Sequence, residues 1–314
     1  MTYIVKFDDL VWFDSNIVIT LNSNKYSAQI IGSTINDNTI TFICETRNEK
    51  LPVLFSYILD TDTFEFDNQA VYYQNNTIQS LKHPKTLVSY NDYLILFTCK
   101  YIIYWNKDNM INDEISNTNC LNYNKLMSNI ITSINNELPE CKHLKYVSIN
   151  GISIDESSNT IYIGIGTLKK CKCSCSESTV IIVKSKISIE DESIVIDENF
   201  KIIDYTNLIE QAELLGLSTQ SLTDLHFDKD NSALYVLTYG GGKGYLWKYI
   251  YYNNINMFQN TPTLVKSTCK NDTLIFNQIP SSMTKIKDNH YLITLNHKGC
   301  SLNVNNFDYV VIQI

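Results

Sequence analysis

Three cysteines at alternate positions, Cys171, Cys173 and Cys175 in the run KKCKCSC, are the sharpest chemical feature of this 314-residue chain. Thiolates suit a soft metal such as zinc or copper(I), and the flanking lysines favour the thiolate form. Zinc sites usually space their cysteines as C-x2-C, so alternate cysteines fit a mobile hairpin loop as well as a metal loop. His297 and Cys300, in NHKGC, form a second candidate group of metal ligands, and Cys44 and Cys99 end other apolar runs. A different chemistry is offered by Asp224 and His226, two residues apart in LTDLHFD, a pair able to bind a cation or to act as acid and base. With Asp9 and Asn150 they are the candidates for an axial cation site. The glycine run GGGKGY (240–245) lacks the G-x4-G-K-[ST] order of a phosphate loop and is followed by a strand pattern, so it reads as a hairpin connection.

The elements that must position these groups are strands. Leu222, Leu225 and Phe227 lie near the two-residue period of a strand, with Asp224, His226 and Asp228 on the other side. Lys229–Ser232 is a polar turn, and Ala233–Tyr239 is a nearly continuous apolar run, as expected of a strand buried on both faces. After the glycines, Tyr245–Tyr252 is a third strand rich in aromatics. The opening hairpin recurs at Asp9–Leu21, Gln29–Cys44, Thr86–Phe97, Gly151–Ile165 and Ser282–Leu295, with turns predicted at Asp37-Asn38, Asn91-Asp92 and Asp288-Asn289. Third strands follow at Leu54–Leu59, Tyr101–Trp105, Val180–Lys184 and Tyr309–Ile314.

This pattern predicts an all-β chain, a β-propeller forming one domain over residues 1–314. About six blades are expected, five full and an irregular one at the N-terminus, closed by pairing of the N- and C-terminal strands, with Tyr3–Phe7 the expected partner of the last strand. Trp12, Trp105 and Trp247 fall on predicted strands as blade packing. Two segments carry the helical period instead: Asn122–Leu138, with Tyr123, Leu126, Met127, Ile130 and Ile134 on one stripe, and Thr206–Leu215, with Thr206 as N-cap and Gly216 as stop. Both precede an inner strand and are expected over one end of the channel as a partial cover.

Composition narrows the function classes. The net charge is −8, Arg47 is the single arginine, and no basic stripe interleaves with the aromatics, which argues against nucleic acid and an anionic membrane surface. The N-terminal stretch is interrupted by Lys6, Asp8 and Asp9, no apolar run approaches a membrane span, and the nine cysteines form no regular framework. A cytoplasmic protein is the expectation, so the acceptor patterns at Asn75 and Asn271 are discounted for glycosylation.

The hairpins Gly151–Ile165 and Asp224–Thr238 resemble those of irregular β-propellers such as the NHL, gluconolactonase-like and esterase-like phytase groups. That resemblance implies the fold and leaves the activity open. The leading expectation is a non-enzymatic propeller that binds a protein partner or small ligand on its loop-rich face, made of loops 45–52, 168–178, 240–244 and 297–306 and helices 122–138 and 206–215. The alternative is a hydrolase of the lactonase or phosphoesterase kind, dependent on a divalent cation (calcium, magnesium or zinc), with its site at the channel mouth. Convergent carboxylates bound to a cation at the channel mouth would favour the enzyme, and a dry or hydrophobic mouth with exposed apolar loop residues would favour partner binding.

Overall fold

The fold was analysed in a computed structural model, which describes residues 15–16, 19–21, 24–26, 28–46, 52–60, 62, 65–66, 71–73, 75, 77–78, 81–111, 114–138, 147–167, 180–218, 220–266, 273–296 and 306–314. Five antiparallel sheets each begin with an inner strand: Ala28–Asn36 in blade I, Pro84–Tyr90 in II, Val147–Asp155 in III, Ser221–Asp228 in IV and Ile279–Lys287 in V. Each inner strand contacts the next, and that of blade V returns to blade I, so the ring closes. Five blades replace the six expected. Ser15–Asn16, from the supposed N-terminal blade, instead pairs with Asn306 and Phe307 on the last strand. The expected closure by N- and C-terminal strands is thus present, through residues 15–16; Tyr3–Phe7 lie outside the described residues.

The hairpins form for the reasons their turns suggest. Asp37, Asn91 and Asp288 adopt positive φ of 51°, 49° and 39° at the tips, the left-handed conformation that Asn and Asp tolerate best. Second strands are apolar on both sides because each is sandwiched between neighbouring blades. Buried hydrophobic clusters accordingly sit between blades I and II, II and III, III and IV, IV and V, and V and I. Trp105 and Trp247 are fully buried within them. The indole N–H of Trp247 donates to Thr238 Oγ1 at 2.9 Å, so its polar end is satisfied.

The helix Tyr123–Glu137 starts from Asn122, whose side chain accepts the Lys125 N–H at 3.1 Å. It buries Tyr123, Leu126, Met127, Ile130 and Ile134 in the cluster between blades II and III, so it wedges into the ring wall; the expected cover over the channel is corrected to that extent. The second helix spans Asn207–Leu214 and stops at Gly216 with φ +67°. Thr206 makes no capping hydrogen bond to the backbone. Asp204, at the end of the preceding strand, caps instead, accepting Asn207 N–H at 2.9 Å and Leu208 N–H at 3.1 Å.

One irregularity is shared by every blade. The inner strand slips register against the second strand near its start, leaving Ile31, Lys85, Asn150, Thr223 and Ser281 as bulged residues, and blade V slips a second time at Ile286. The residues after the bulges are therefore equivalent: Gly32, Thr86, Gly151, Asp224 and Ser282. At Gly151 an added Cβ would lie 2.7 Å from the Asp224 Cα and 2.8 Å from the Leu225 nitrogen, and at Gly32 it would lie 2.7 Å from the Leu87 nitrogen. Neighbouring inner strands approach too closely here for a side chain. Gly151→Ala is expected to destabilise the protein by about 1–3 kcal/mol in urea unfolding, because only backbone stands in the way and it must shift. A loss under about 0.5 kcal/mol would mean that the ring absorbs the methyl.

Candidate functional site

Asp224 occupies the position that glycine holds in blades I and III, and its carboxylate fills the role of close approach. Its Oδ2 accepts the Met283 N–H of blade V at 2.8 Å. Its Oδ1 makes no hydrogen bond among the described residues, although the residue is only 5% exposed. Burial pushes this carboxyl up to about 8, and the backbone N–H groups of Met283 and Leu225 pull it back only partly. At neutral pH Asp224 is mostly a neutral acid holding a proton.

His226 follows on the same side of the strand and meets the Tyr291 ring edge-on at 5.8 Å. Burial pushes its imidazole down to about 4; the Asp228 carboxylate raises it and the Lys285 ammonium lowers it further. It is neutral at pH 7. The Asp–His pair suspected from sequence therefore exists with inverted protonation: the acid side chain carries the proton and the imidazole can take one.

Both residues line a cavity of about 120 Å³ within the channel, whose wall also includes Ser33, Thr86, Ser153 and Thr284. Small hydroxyls staple the inner strands here: Ser33 lies 2.8 Å from the Ser282 hydroxyl and 2.6 Å from that of Thr284, and Ser153 Oγ accepts the Phe227 N–H at 2.9 Å. Through Ile35, Ser89 and Ile154 the cavity continues into a bowl of about 890 Å³ at the end formed by the first turns of the blades. Asp37, Asp92, Asp155, Glu156, Lys107 and Lys229 give the bowl a polar lining. Asp155 is partly buried, which raises its carboxyl, but hydrogen bonds from Ser157 and Ser158 outweigh this and hold it below its ordinary value.

Beside His226, Asp228 closes the same junction of blades IV and V. Only 2% exposed, it accepts hydrogen bonds from the Tyr291 hydroxyl, from Lys285 Nζ at 3.0 Å and from Asn231 Nδ2 at 2.8 Å. Burial raises its carboxyl, but these donors together hold it low. Asp228 is an ionised anchor, where Asp224 four residues earlier is a protonated acid.

Other expected site residues fare differently. Cys171, Cys173, Cys175, His297, Cys300 and Asp9 lie outside the described residues. Asn150, expected as an axial cation ligand, is engaged structurally: its Nδ2 donates to Leu222 O at 3.1 Å and its Oδ1 accepts the Ser148 hydroxyl at 2.8 Å. Among the described residues no three His, Cys, Asp or Glu side chains gather as metal ligands. Gly240–Gly244 is a tight turn, with Gly241 and Gly242 at positive φ. Sequence reasoning missed the bowl, although the acid-bearing turns that build it were in view as turns. Among the described residues no helix is long and apolar enough to cross a membrane.

The fold and channel define a five-bladed β-propeller with a polar mouth and a buried, protonated carboxyl beneath it. No protein-family model matches the chain, and no curated protein matches it in sequence. Solved structures do match in shape. One is a GH62 hydrolase in complex with xylotriose, with TM-score 0.50 and 11% identity over 94% of this chain and 92% of that one. Others are a luciferin-regenerating enzyme (TM-score 0.47, 10% identity, 92% of each chain) and the α-L-arabinanase of Penicillium chrysogenum complexed with arabinobiose (0.43, 10%, 96% of this chain and 80% of that one). At these identities the likeness is one of fold.

The leading expectation of a non-enzymatic interaction propeller is corrected. The solved structure it matches at TM-score 0.50 is by description an enzyme, a GH62 hydrolase in complex with xylotriose. The described mouth is polar and leads to an acid with one oxygen unpartnered among the described residues, opposite in character to an apolar docking face. The named loops 168–178 and 297–306 fall almost wholly outside the described residues. The bowl lies at the other end, among the first turns.

Proposed function

We propose that this chain is a hydrolase acting at the mouth of the propeller channel, with a glycosidic bond as its target. The observation that carries this reading is the Asp224 carboxyl: buried, holding a proton at neutral pH, and with one oxygen unpartnered in a cavity that opens to the bowl. Such a group can protonate a leaving oxygen. His226 stands two residues along the same strand, its Cα about 7 Å away by the rise of a β-strand. In inverting glycoside hydrolases the two catalytic groups are carboxyls, roughly 6.5–9.5 Å apart to leave room for a water; here an imidazole would take the place of the base. In the single displacement, Asp224 gives its proton to the glycosidic oxygen as the bond to the anomeric carbon breaks. Water adds to that carbon and its proton passes to His226, which then releases it to solvent as Asp224 takes one back. The choice of a glycosidic bond rests on fold-level analogy with the hydrolase bound to xylotriose.

The test is turnover of a panel of chromogenic aryl glycosides, including xylosides and arabinofuranosides. Activity should rise as His226 loses its proton above about pH 4 and fall as Asp224 loses its own above about pH 8. Asp224→Asn should lower kcat roughly 10²–10⁴-fold while the protein stays folded. Inactivity across the panel, or an Asp224→Asn enzyme as fast as the parent, overturns the reading.

A further inference from the structure

Each blade turns from its first to its second strand beside an acid: Asp37, Asp92, Glu156, Asp230 and Asp288 in blades I to V. On blades IV and V the acids have cations. Lys285 Nζ lies 2.6 Å from Asp230 and 3.0 Å from Asp228, and Asp288 shares the field of Lys287. On blades I to III no ion pair among the described residues reaches Asp37, Asp92 or Glu156. Lys107, within the bowl, spends its ammonium on the Asn91 carbonyl at 2.7 Å and on Asn36 Oδ1 at 3.3 Å. Glu156 uses one oxygen to accept the Asn91 N–H at 2.7 Å, which braces its turn against blade II. The bowl therefore sets four carboxylates, counting Asp155, against Lys107 and Lys229.

We propose that this bowl selects a sugar chain bearing free amino groups, whose ammonium groups sit against Asp37, Asp92 and Glu156 while one of its bonds reaches down to Asp224. The proposal rests on the hydrolase reading above for the last clause and deepens it by naming the substrate class. Independent of the acidic turns, Asp224, only 5% exposed and with Oδ1 lacking a hydrogen-bond partner among the described residues, lines the smaller cavity that joins this bowl through Ile35, Ser89 and Ile154. A bare metal ion is a poorer match. The three acids come from three separate turns, they do not gather as ligands, and a depression of about 890 Å³ has room for several sugar rings. Ile35, Ile154 and Ile189 contribute apolar patches on which the C–H faces of a sugar can rest.

The experiment is calorimetric titration of the full chain with a glucosamine tetrasaccharide and with its fully N-acetylated counterpart. The amino form should bind about tenfold more tightly at low ionic strength, as expected for two or three exposed ion pairs. That preference should collapse to within about twofold at roughly 0.5 M salt, where such pairs are screened. It should also collapse in the variant Asp37→Asn/Asp92→Asn/Glu156→Gln, which keeps the turn hydrogen-bonding capacity. Neutralising Asp191, Glu192 and Glu213, which do not line the bowl, should leave it intact. Equal affinities, no binding of the amino form, or a preference that survives the bowl variant (attraction to a net charge of −8 and nothing more) would overturn the proposal. Selective binding without glycoside cleavage would sink the hydrolase reading alone, and cleavage of neutral glycosides without charge preference would sink this one alone.

Discussion

Asp224→Asn is expected to remove a stability slope of about 1.4 kcal/mol per pH unit between pH 5 and 8. In the folded protein this carboxyl is pushed up to about 8 from an ordinary 3.8. Between those values the folded chain holds a proton that the unfolded chain has released, so its contribution is fully present below about pH 4 and is lost as pH rises through 8. The whole span is on the order of 5 kcal/mol for a group this buried. Its physical source is plain: Oδ2 has the Met283 N–H, but a charge spread onto Oδ1 would meet no donor among the described residues. Asparagine can still accept that N–H and has nothing to ionise, so its curve should lack this slope: level from about pH 6.5 to 8, with only the His226 slope below. His226 works in the opposite sense. Its depressed imidazole contributes stability above about 6.5 that is lost as pH falls through about 4, and this slope should remain in the variant. Urea midpoints at pH 5, 7 and 8.5 decide the matter: a constant difference between parent and variant would show that Asp224 is not held protonated. The penalty for ionising this group is the same property that would let it act as an acid at neutral pH, so kcat and the stability slope should be lost together.

Much of the ring was legible because its information is local. A two-residue period, an apolar second strand and an Asn/Asp turn repeat in every blade, and those turns adopt the left-handed conformation that their residue types favour. The blade count was less legible. Asp9–Leu21 carries the hairpin pattern, yet Ser15–Asn16 completes blade V, a long-range pairing that no local signal encodes. Bulges were invisible for a related reason: aligned hairpins already match Gly151 with Asp224, but the hairpin start at Gln29 lies three residues before its structural equivalent, and only the register slip places Gly32 with them. The same holds for Asp204, which caps the helix in place of Thr206 because the strand before it ends two residues earlier. Asp224 and His226 could be named from sequence, but their protonation could not, since it depends on Met283, Lys285 and Tyr291 arriving from another blade. The bowl escaped because its acids were read as turn formers, and only closure of the ring turns the separate turns of four blades into one surface.

The largest structural loss is expected at Asp228, where Asp228→Ala should cost about 1.5–3 kcal/mol, as losing hydrogen bonds to a buried charged group does. Asp228 lies at the end of the inner strand of blade IV, and three of its donors belong to different pieces of structure: Asn231 to its own turn, Lys285 to the inner strand of blade V, and Tyr291 to the second strand of blade V. Removing the carboxylate leaves Lys285 with Asp230 alone, which is largely exposed, and leaves the Tyr291 hydroxyl with Asn231. Two blades lose their shared anchor on the side where His226 packs on Tyr291. Because the Asp228 carboxyl is held below its ordinary value, its contribution is present above about pH 4 and is lost as pH falls through the lower folded value, opposite in sign to Asp224. Lys285→Met offers the contrast. It removes the partly buried cation but keeps a stem of similar length, and Asp228 retains Tyr291 and Asn231 as donors, so the loss should be the smaller of the two. Equilibrium unfolding of both variants, with hydrogen exchange at the Met283 amide as a local reporter, separates the outcomes. If Asp228→Ala costs under about 1 kcal/mol and leaves that amide protected, the junction of blades IV and V is held by the apolar cluster around Tyr235 and Tyr291, and the ionic anchor is dispensable.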